Sequence, residues 1–341
     1  MKPIITCFVA VLLVSGCNTA IKPFGDTAAP PDESKPVVPP PVSMSSQSVS
    51  ASRACDNYTT QVNRAKQSKD LVKLSQLLKK LEKQSDCSQD YLDTLERNIS
   101  EIATQKASVL VKRGDVNGAK KWLKYAPVSL WTIQTIRGDI AAKGKEWKNA
   151  AEFYNQALDL MDSPTATPEP SRADIKKVRS LATETQLLAG QLIAINGRSG
   201  KESGAMRGNI RGIEVRERPV PVQFVFGKTA LTESGQNSAK KLITFFQRKN
   251  PTRITLVGHS DRIGSDIHNC ALSRGRALAL KDYFVKQGSI DANIITAMGK
   301  GKQQPLELYD PSLYTQDEID QMNRRVEFAI DREVSNTNQC L

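Results

Sequence analysis

At 341 residues the chain is long enough for two or three domains, and its 39% hydrophobic and 25% charged content is ordinary for a soluble protein. The formal net charge of +12 admits nucleic acid, an anionic membrane surface or an anionic polymer as partner. Basic residues are spread along the chain and the few aromatics do not alternate with them, so no nucleic-acid partner is expected.

The first residues set the compartment. Met1-Lys2 is a short charged start, and Ile4–Val14 is an apolar run of signal-peptide length, too short to span a bilayer as a stable helix. Val14-Ser15-Gly16-Cys17 follows, and it resembles the bacterial lipobox. That resemblance implies a lipoprotein signal peptide over residues 1–16, cleavage before Cys17, diacylglycerol on its sulfur and a further acyl chain such as palmitate on its amino group. Asn18, rather than Asp, follows the cysteine, a pattern that resembles sorting to the outer membrane with the protein facing the periplasm. Several acyl chains would hold it firmly where one would not. Of six cysteines, Cys7 leaves with the signal and Cys17 takes lipid, which leaves Cys55, Cys87, Cys270 and Cys340. An even number in an oxidising compartment points to disulfides, and the pairing that respects the domains is Cys55–Cys87 with Cys270–Cys340.

Residues 17–50 carry the lipidated cysteine and a tether. Thr19–Ser50 is rich in Pro, Ser, Ala and Val around Pro39-Pro40-Pro41 and has no apolar periodicity. In polyproline form about 30 such residues reach up to roughly 90 Å. Residues 51–190 read as helical. Leu71, Leu74, Leu77, Leu78 and Leu81 make one apolar face, and Tyr91, Leu95, Ile99 and Ile102 another. Gly138, Trp147, Ala150, Tyr154, Ala157 and Leu160 have the spacing of a helical hairpin in which small residues allow close approach and aromatics fill the gaps. This resembles a tetratricopeptide repeat, and Gly114-Asp115, Ala119, Leu123 and Ala126 follow the same template more loosely. The resemblance implies either a surface for a protein partner or a plain helical spacer. After a loop at Asp162–Pro170, one more helix is expected over about Asp174–Ala189.

Residues 191–218 form a Gly- and Arg-rich stretch, read as a solvated basic linker with a short strand at Ile213–Val215. The last domain spans 219–341. Val220, Val222, Phe224 and Phe226 alternate as a strand. Thr232 caps a helix whose face is Ala239, Leu242, Ile243 and Phe246. A strand over Arg253–Gly258, a polar turn and a helix over Asn269–Gln287 come next. A third strand near Ile294, Thr296 and Met298, a short helix over Thr315–Met322 and a strand over Arg325–Ile330 complete the pattern. The fold class expected is therefore multidomain: an α-helical, tetratricopeptide-like N-terminal domain, then an α/β sandwich with helices on one face of a small mixed sheet.

The chemistry concentrates in Gly258–Arg276. At 100° per residue from Leu272, Ala279 lies at about −20°, Tyr283 at about 20° and Leu280 at about 80°, and Arg276 falls among them at about 40°. A guanidinium turned inward needs an anion. Asp261 can supply it in an internal salt bridge. Alternatively, Arg276 grips the carboxylate and Asp261 the ammonium of one zwitterionic ligand. Gly258-His259-Ser260-Asp261, Gly264, Asn269, Leu272-Ser273, Arg276-Ala277 and Asn323-Arg324-Arg325-Val326-Glu327 resemble the signature of the OmpA-like peptidoglycan-binding domain, over about Phe224–Ile330. That resemblance implies that Asp261 and Arg276 hold meso-diaminopimelate of the cell-wall stem peptide, with Asn269, Ser260 and Arg324 at the pocket. Two departures bear on the site: Gly227, where the family often presents a side chain, and Cys270 inside the motif. His259, His268 and Cys270 match no zinc spacing, so neither a metal, a cofactor nor a catalytic residue is expected. The expected function is non-enzymatic: an outer-membrane lipoprotein binding peptidoglycan and tethering the membrane or an envelope complex to the wall. The alternative is a scaffold of an envelope-spanning secretion system that recruits a protein partner through the helices.

Overall fold

The computed structural model describes residues 46–193, 202–332, 334 and 340, with side chains from residue 55 onward. The signal peptide, Cys17 and most of the tether lie outside the described residues. Residues 46–341 form one compact unit.

Seven helices come first: α1 (Ser46–Gln67), α2 (Leu71–Leu81), α3 (Gln89–Lys112), α4 (Val116–Leu123), α5 (Trp131–Lys143), α6 (Trp147–Met161) and α7 (Arg172–Ala189). Helix α1 starts five residues before the expected end of the tether. Side chains that bond the third backbone N–H set the starts: Asp70 for α2, Ser88 for α3, Asp115 for α4 and a reciprocal Ser171–Asp174 box for α7. The leucine face of α2 is buried as the spacing predicts, against Leu92, Leu95 and Ile99 of α3. The Cys55–Cys87 disulfide joins α1 to the loop before α3. Helices α5 and α6 approach closely because Gly138 has no side chain: a Cβ there would lie 2.5 Å from the Tyr154 ring. This is the close approach expected of that glycine.

The basic stretch after α7 is folded onto the protein rather than solvated. A short 3-10 turn at Gly204–Met206 leads into a hairpin of β1 (Asn209–Ile210) and β2 (Ile213–Glu214). Ala205, Ile210 and Ile213 bury against α5–α7. Three of its arginines have internal partners: Arg207 pairs with Asp159 and Asp162, Arg211 with Glu169, and Arg218 with Glu202. The charge of these three is answered within the molecule, whereas Arg216 is exposed.

The second layer is a four-stranded mixed sheet in the order β3 (Arg218–Val220), β6 (Val326–Ile330), β4 (Ile254–Gly258), β5 (Ile295–Gly299). Strands β4 and β5 are parallel and the remaining pairs antiparallel. Helices α8 (Glu233–Lys249, capped by Thr232) and α9 (Asp266–Gly288) cover one face. Phe246 stacks edge-on to Phe284 and Phe328 at 5.4 and 5.2 Å, and Phe245 to Phe328 at 5.7 Å. Burying each such ring contributes about 1.5–3 kcal/mol. The first strand is shorter than alternation predicts: beyond Val220 the chain leaves the sheet, and Phe226 is exposed. Leu192 and Met206, from before residue 219, complete this core.

The two halves are bonded together. Glu184 of α7, buried, accepts from the Tyr309 backbone N–H at 2.7 Å and the Tyr314 hydroxyl at 2.6 Å. Helix α10 (Gln316–Asn323) follows, and its Gln321 donates to the Leu188 carbonyl at 3.1 Å. Leu187, Leu188 and Met322 close a small apolar cluster between the halves.

Candidate ligand-binding site

Glycines at the ends of two paired strands place the site. Gly258 and Gly299 face each other in the β4–β5 register. A Cβ on Gly258 would lie 2.0 Å from the Ser273 carbonyl oxygen, and one on Gly299 2.5 Å from the Arg274 nitrogen. Only glycine lets α9 lie this close to the strand ends, and that seat positions Arg276. The turn before α9 is built from its own polar groups. The Ser260 N–H donates to the Gly301 carbonyl, the Asp261 carboxylate accepts from the Ile263 N–H, and the Asn269 amide donates to the Ile263 carbonyl at 2.9 Å. Ser265 caps α9, which therefore begins three residues earlier than its apolar pattern.

The buried face of α9 is Asn269, Ser273, Arg276, Ala277, Leu280 and Phe284. It is rotated from the Leu272-centred face that the sequence predicts, because the strand-end glycines pull Ser273 inward. Arg276 lies on the buried face in both readings and is 3% exposed. Its Nε donates to the Lys228 carbonyl at 3.3 Å, and its guanidinium carbon sits 5.3 Å from the centre of the Phe224 ring. One terminal nitrogen, Nη1, is buried and makes no hydrogen bond among the described residues. Burial above all, with the nearby charge of Arg324 adding to it and Asp261 opposing, pulls the guanidinium below its usual range.

Asp261 does not pair with Arg276. Its carboxylate is held by Arg324 at 2.8 Å, with the Asp side chain 14% and the Arg side chain 30% exposed. The internal Asp261–Arg276 bridge is thus replaced by a partner from the far end of the domain, at the C-terminus of α10. Ser260 and Asn269 are buried and shape the turn, so they support Asp261 from behind. A cavity of about 290 Å³ opens beside the two arginines, lined by Arg276, Arg324, Phe224, Val222, Gln321 and Leu187 among others. Asp261 is not part of that lining. Its two guanidiniums, one with an unanswered donor, give the cavity the chemistry to hold an anion, with Gln223 and Gln321 lining it beside the apolar residues.

Neither of the two departures noted in the sequence is among the cavity's lining residues, although Gly227 lies between Phe226, which is, and Lys228, whose carbonyl accepts from Arg276. Gly227, at φ +66°, forms the tip of the turn joined by the Phe224–Leu231 bridge, with no atom near its absent side chain. Cys270 is bonded to Cys340, and the Cys340 N–H donates to Gly299, so the chain end is pinned behind the strand-end glycines. His259 is buried, 3.7 Å from Glu327, and burial lowers its pKa, whereas His268 is exposed on the first turn of α9. The cavity residues Leu187 and Gln321 were not legible as site residues, since one belongs to the helical half and the other to a generic amphipathic helix.

Residues 223–313 match the OmpA family. Over 87 residues the chain is 39% identical to Outer membrane protein A of Shimwellia blattae, covering 25% of this chain and 36% of the relative. It is 31% identical over 93 residues to Outer membrane porin F of Pseudomonas aeruginosa, covering 27% of each. The chain therefore spans about a third or less of the length of these relatives. Among solved structures, a peptidoglycan-associated lipoprotein from Burkholderia pseudomallei aligns at 21% identity over 34% of this chain and 91% of its own, with a TM-score of 0.27. The cell wall anchor of the T6SS from Pseudomonas aeruginosa aligns at 21% identity over 34% and 80%, with a TM-score of 0.28. Among the described residues no helix is long and apolar enough to cross a membrane.

Proposed function

We propose that this chain, whose C-terminal domain is OmpA-like, is a non-enzymatic lipoprotein of the outer membrane that binds peptidoglycan through meso-diaminopimelate. The observation that carries the reading is Arg276: a guanidinium 3% exposed at the edge of a cavity, with one donor unanswered. A ligand carboxylate satisfies that donor and offsets the cost of a buried charge. The ammonium of the same ligand reaches past the cavity lining to Asp261, beside Arg324. Lipid on Cys17 anchors the chain, residues 17–50 act as the tether, and the helices of residues 51–190 stand between tether and wall-binding domain.

The test is co-sedimentation of the full chain with diaminopimelate-containing sacculi, comparing wild type with Asp261→Ala and Arg276→Ala. Wild type is expected in the pellet and Arg276→Ala in the supernatant. Equal sedimentation of all three proteins removes the assigned site. A Cys17→Ser variant is expected to leave the membrane fraction; if it stays, the anchor is elsewhere.

A further inference from the structure

The helical half carries a charge imbalance that wall binding leaves unused. From Lys106 to Lys148 the chain has ten basic and three acidic residues. Each of those acids is engaged within the molecule. Asp115 accepts from the Gly118 N–H at the start of α4, Asp139 from the Tyr154 hydroxyl at 2.7 Å, and Glu146 from the Asn149 amide at 2.7 Å. Several of the bases are engaged too: Lys143 donates to the Val111 carbonyl, Lys145 pairs with Glu318, and Lys106 lies over the Trp122 ring. Lys120, Lys124 and Arg137 are not. Among the described residues their side chains make no ion pair and no hydrogen bond. All of them line one groove of about 470 Å³ between α4, α5 and α6. Lys120 and Lys124 are four residues apart, so they stand on one side of α4 and its C-terminal cap, and Arg137 faces them from α5. Leu123 and Ile140 are buried beneath them, and Phe153 of α6 is half-buried at the edge. Like charges gathered around one groove repel, and an incoming anion relieves that repulsion.

We propose that the groove between α4, α5 and α6 is a docking surface for an acidic segment of a partner protein, separate from the Arg276 cavity and independent of what that cavity binds. The unpaired cations set the sign of the partner. The shape sets its class. A groove walled by helices admits an extended or helical chain, whose carboxylates meet Lys120, Lys124 and Arg137 while a side chain between them rests against Phe153. A bilayer surface is flat, and proteins that lie on one insert exposed apolar side chains into it. The large apolar side chains exposed among the described residues, such as Val72, Phe226 and Ile267, all lie outside the groove.

The test is fluorescence anisotropy of the full chain with a labelled glutamate-rich peptide carrying a central leucine, and with its lysine-rich counterpart. It compares wild type, Lys120→Glu with Lys124→Glu, Arg137→Glu, and Lys73→Glu with Lys79→Glu on α2, a control that changes net charge as much as the first pair. A thermal melt confirms that each variant is folded. Wild type is expected to bind the acidic peptide, more weakly as salt rises, and not the basic one. Reversing Lys120 and Lys124 is expected to weaken binding about ten-fold or more, Arg137→Glu about five-fold, and the α2 pair less than about two-fold. Equal loss in the groove and α2 variants overturns the groove, because general attraction to a basic protein then accounts for the binding. Absence of binding by wild type overturns it as well. Wild-type binding to phosphatidylglycerol vesicles that the groove variants lose gives the groove to a membrane surface and overturns the protein partner. Sedimentation with sacculi is expected to be unchanged in the groove variants, and its loss there gives the groove to the wall polymer instead. Arg276→Ala is expected to keep the acidic peptide, so failure of wall binding and failure of the groove are read separately.

Discussion

Replacing Arg276 with methionine separates function from stability at one position. Among the described residues this guanidinium makes one hydrogen bond, to the Lys228 carbonyl at 3.3 Å, and leaves Nη1 buried and unpaired. Losing a bond from a charged donor costs about 1.5–3 kcal/mol, and removing a buried unsatisfied donor returns about 1–3 kcal/mol. Methionine keeps much of the length and the contact with Phe224, and apolar residues in place of buried charges are often neutral or stabilising. The net change in folding free energy is therefore expected to stay within about 1 kcal/mol of zero. Binding should respond differently. Deleting one partner of a buried charge pair costs about 2–5 kcal/mol, which is roughly 30-fold to a few thousand-fold in affinity. Urea denaturation of the full chain measures the first quantity, and titration with meso-diaminopimelate the second. A variant that binds as wild type, or that loses more than about 3 kcal/mol of stability with binding intact, refutes the reasoning, because Arg276 would then be a structural residue.

Asp261→Asn keeps the acceptor for the Ile263 N–H but breaks the pair with Arg324; titration is expected to show a loss of about ten-fold, smaller than at Arg276, with little change in stability. Removing the second disulfide by Cys270→Ser with Cys340→Ser opens a closure of 70 residues and should cost about 4 kcal/mol on the chain-entropy account, read as a lowered urea midpoint under oxidising conditions. Gly138→Ala drives a Cβ to 2.5 Å from the Tyr154 ring, so overpacking should cost about 1–3 kcal/mol, seen as a lower Tm with diaminopimelate binding retained. At Glu184, burial raises the carboxyl pKa, and the bonds from Tyr314 and Tyr309 oppose the rise. Its contribution to stability is then full below the ordinary glutamate pKa of about 4.3 and is lost as pH climbs through the raised native value. The stability gap between wild type and Glu184→Gln should shrink from about pH 4 to about pH 8; a gap that widens refutes the assignment.

Periodicity made most of the elements legible. The leucine face of α2, the Thr232 cap of α8 and the strand before the Asp261 turn lie where spacing put them, because each depends on residues within a turn or two of one another. The failures have a common cause in contacts distant along the chain. The face of α9 was offset because its orientation is set by Gly258 and Gly299, which carry no hydrophobic signal at all. The stretch from 202 to 218 looked like a solvated linker because its glycines and arginines outnumber Ile210 and Ile213, whereas those arginines find Asp159, Asp162 and Glu169 more than 40 residues away. The alternation Val220 to Phe226 promised a long strand, but Phe226 is 87% exposed and only Val220 stays in the sheet. Asp261 and Arg276 were singled out by charge, helical projection and the family resemblance. The partner Arg324 supplies to Asp261, and the wall supplied by Leu187, depend on how the two ends of a domain and two halves of a chain meet.

The unequal pairing of the three charges decides which of them carries affinity. Asp261 is neutralised by Arg324 at 2.8 Å before any ligand arrives, so a ligand ammonium exchanges one partner for another and gains little. Among the described residues Arg276 has a carbonyl and an aromatic face as partners, both weaker than a carboxylate, and it is already largely desolvated in the folded protein. A carboxylate arriving there adds a charge-assisted bond without further stripping of the guanidinium. On the proposed function, a ligand that brings a cation could share Asp261 with Arg324, which is itself 30% exposed, whereas a ligand without one could not. Arg276 would then supply the strength of the contact, and the Asp261–Arg324 pair would respond to a ligand's cation. The strand-end glycines matter because they hold the helix bearing the first beside the turn bearing the second.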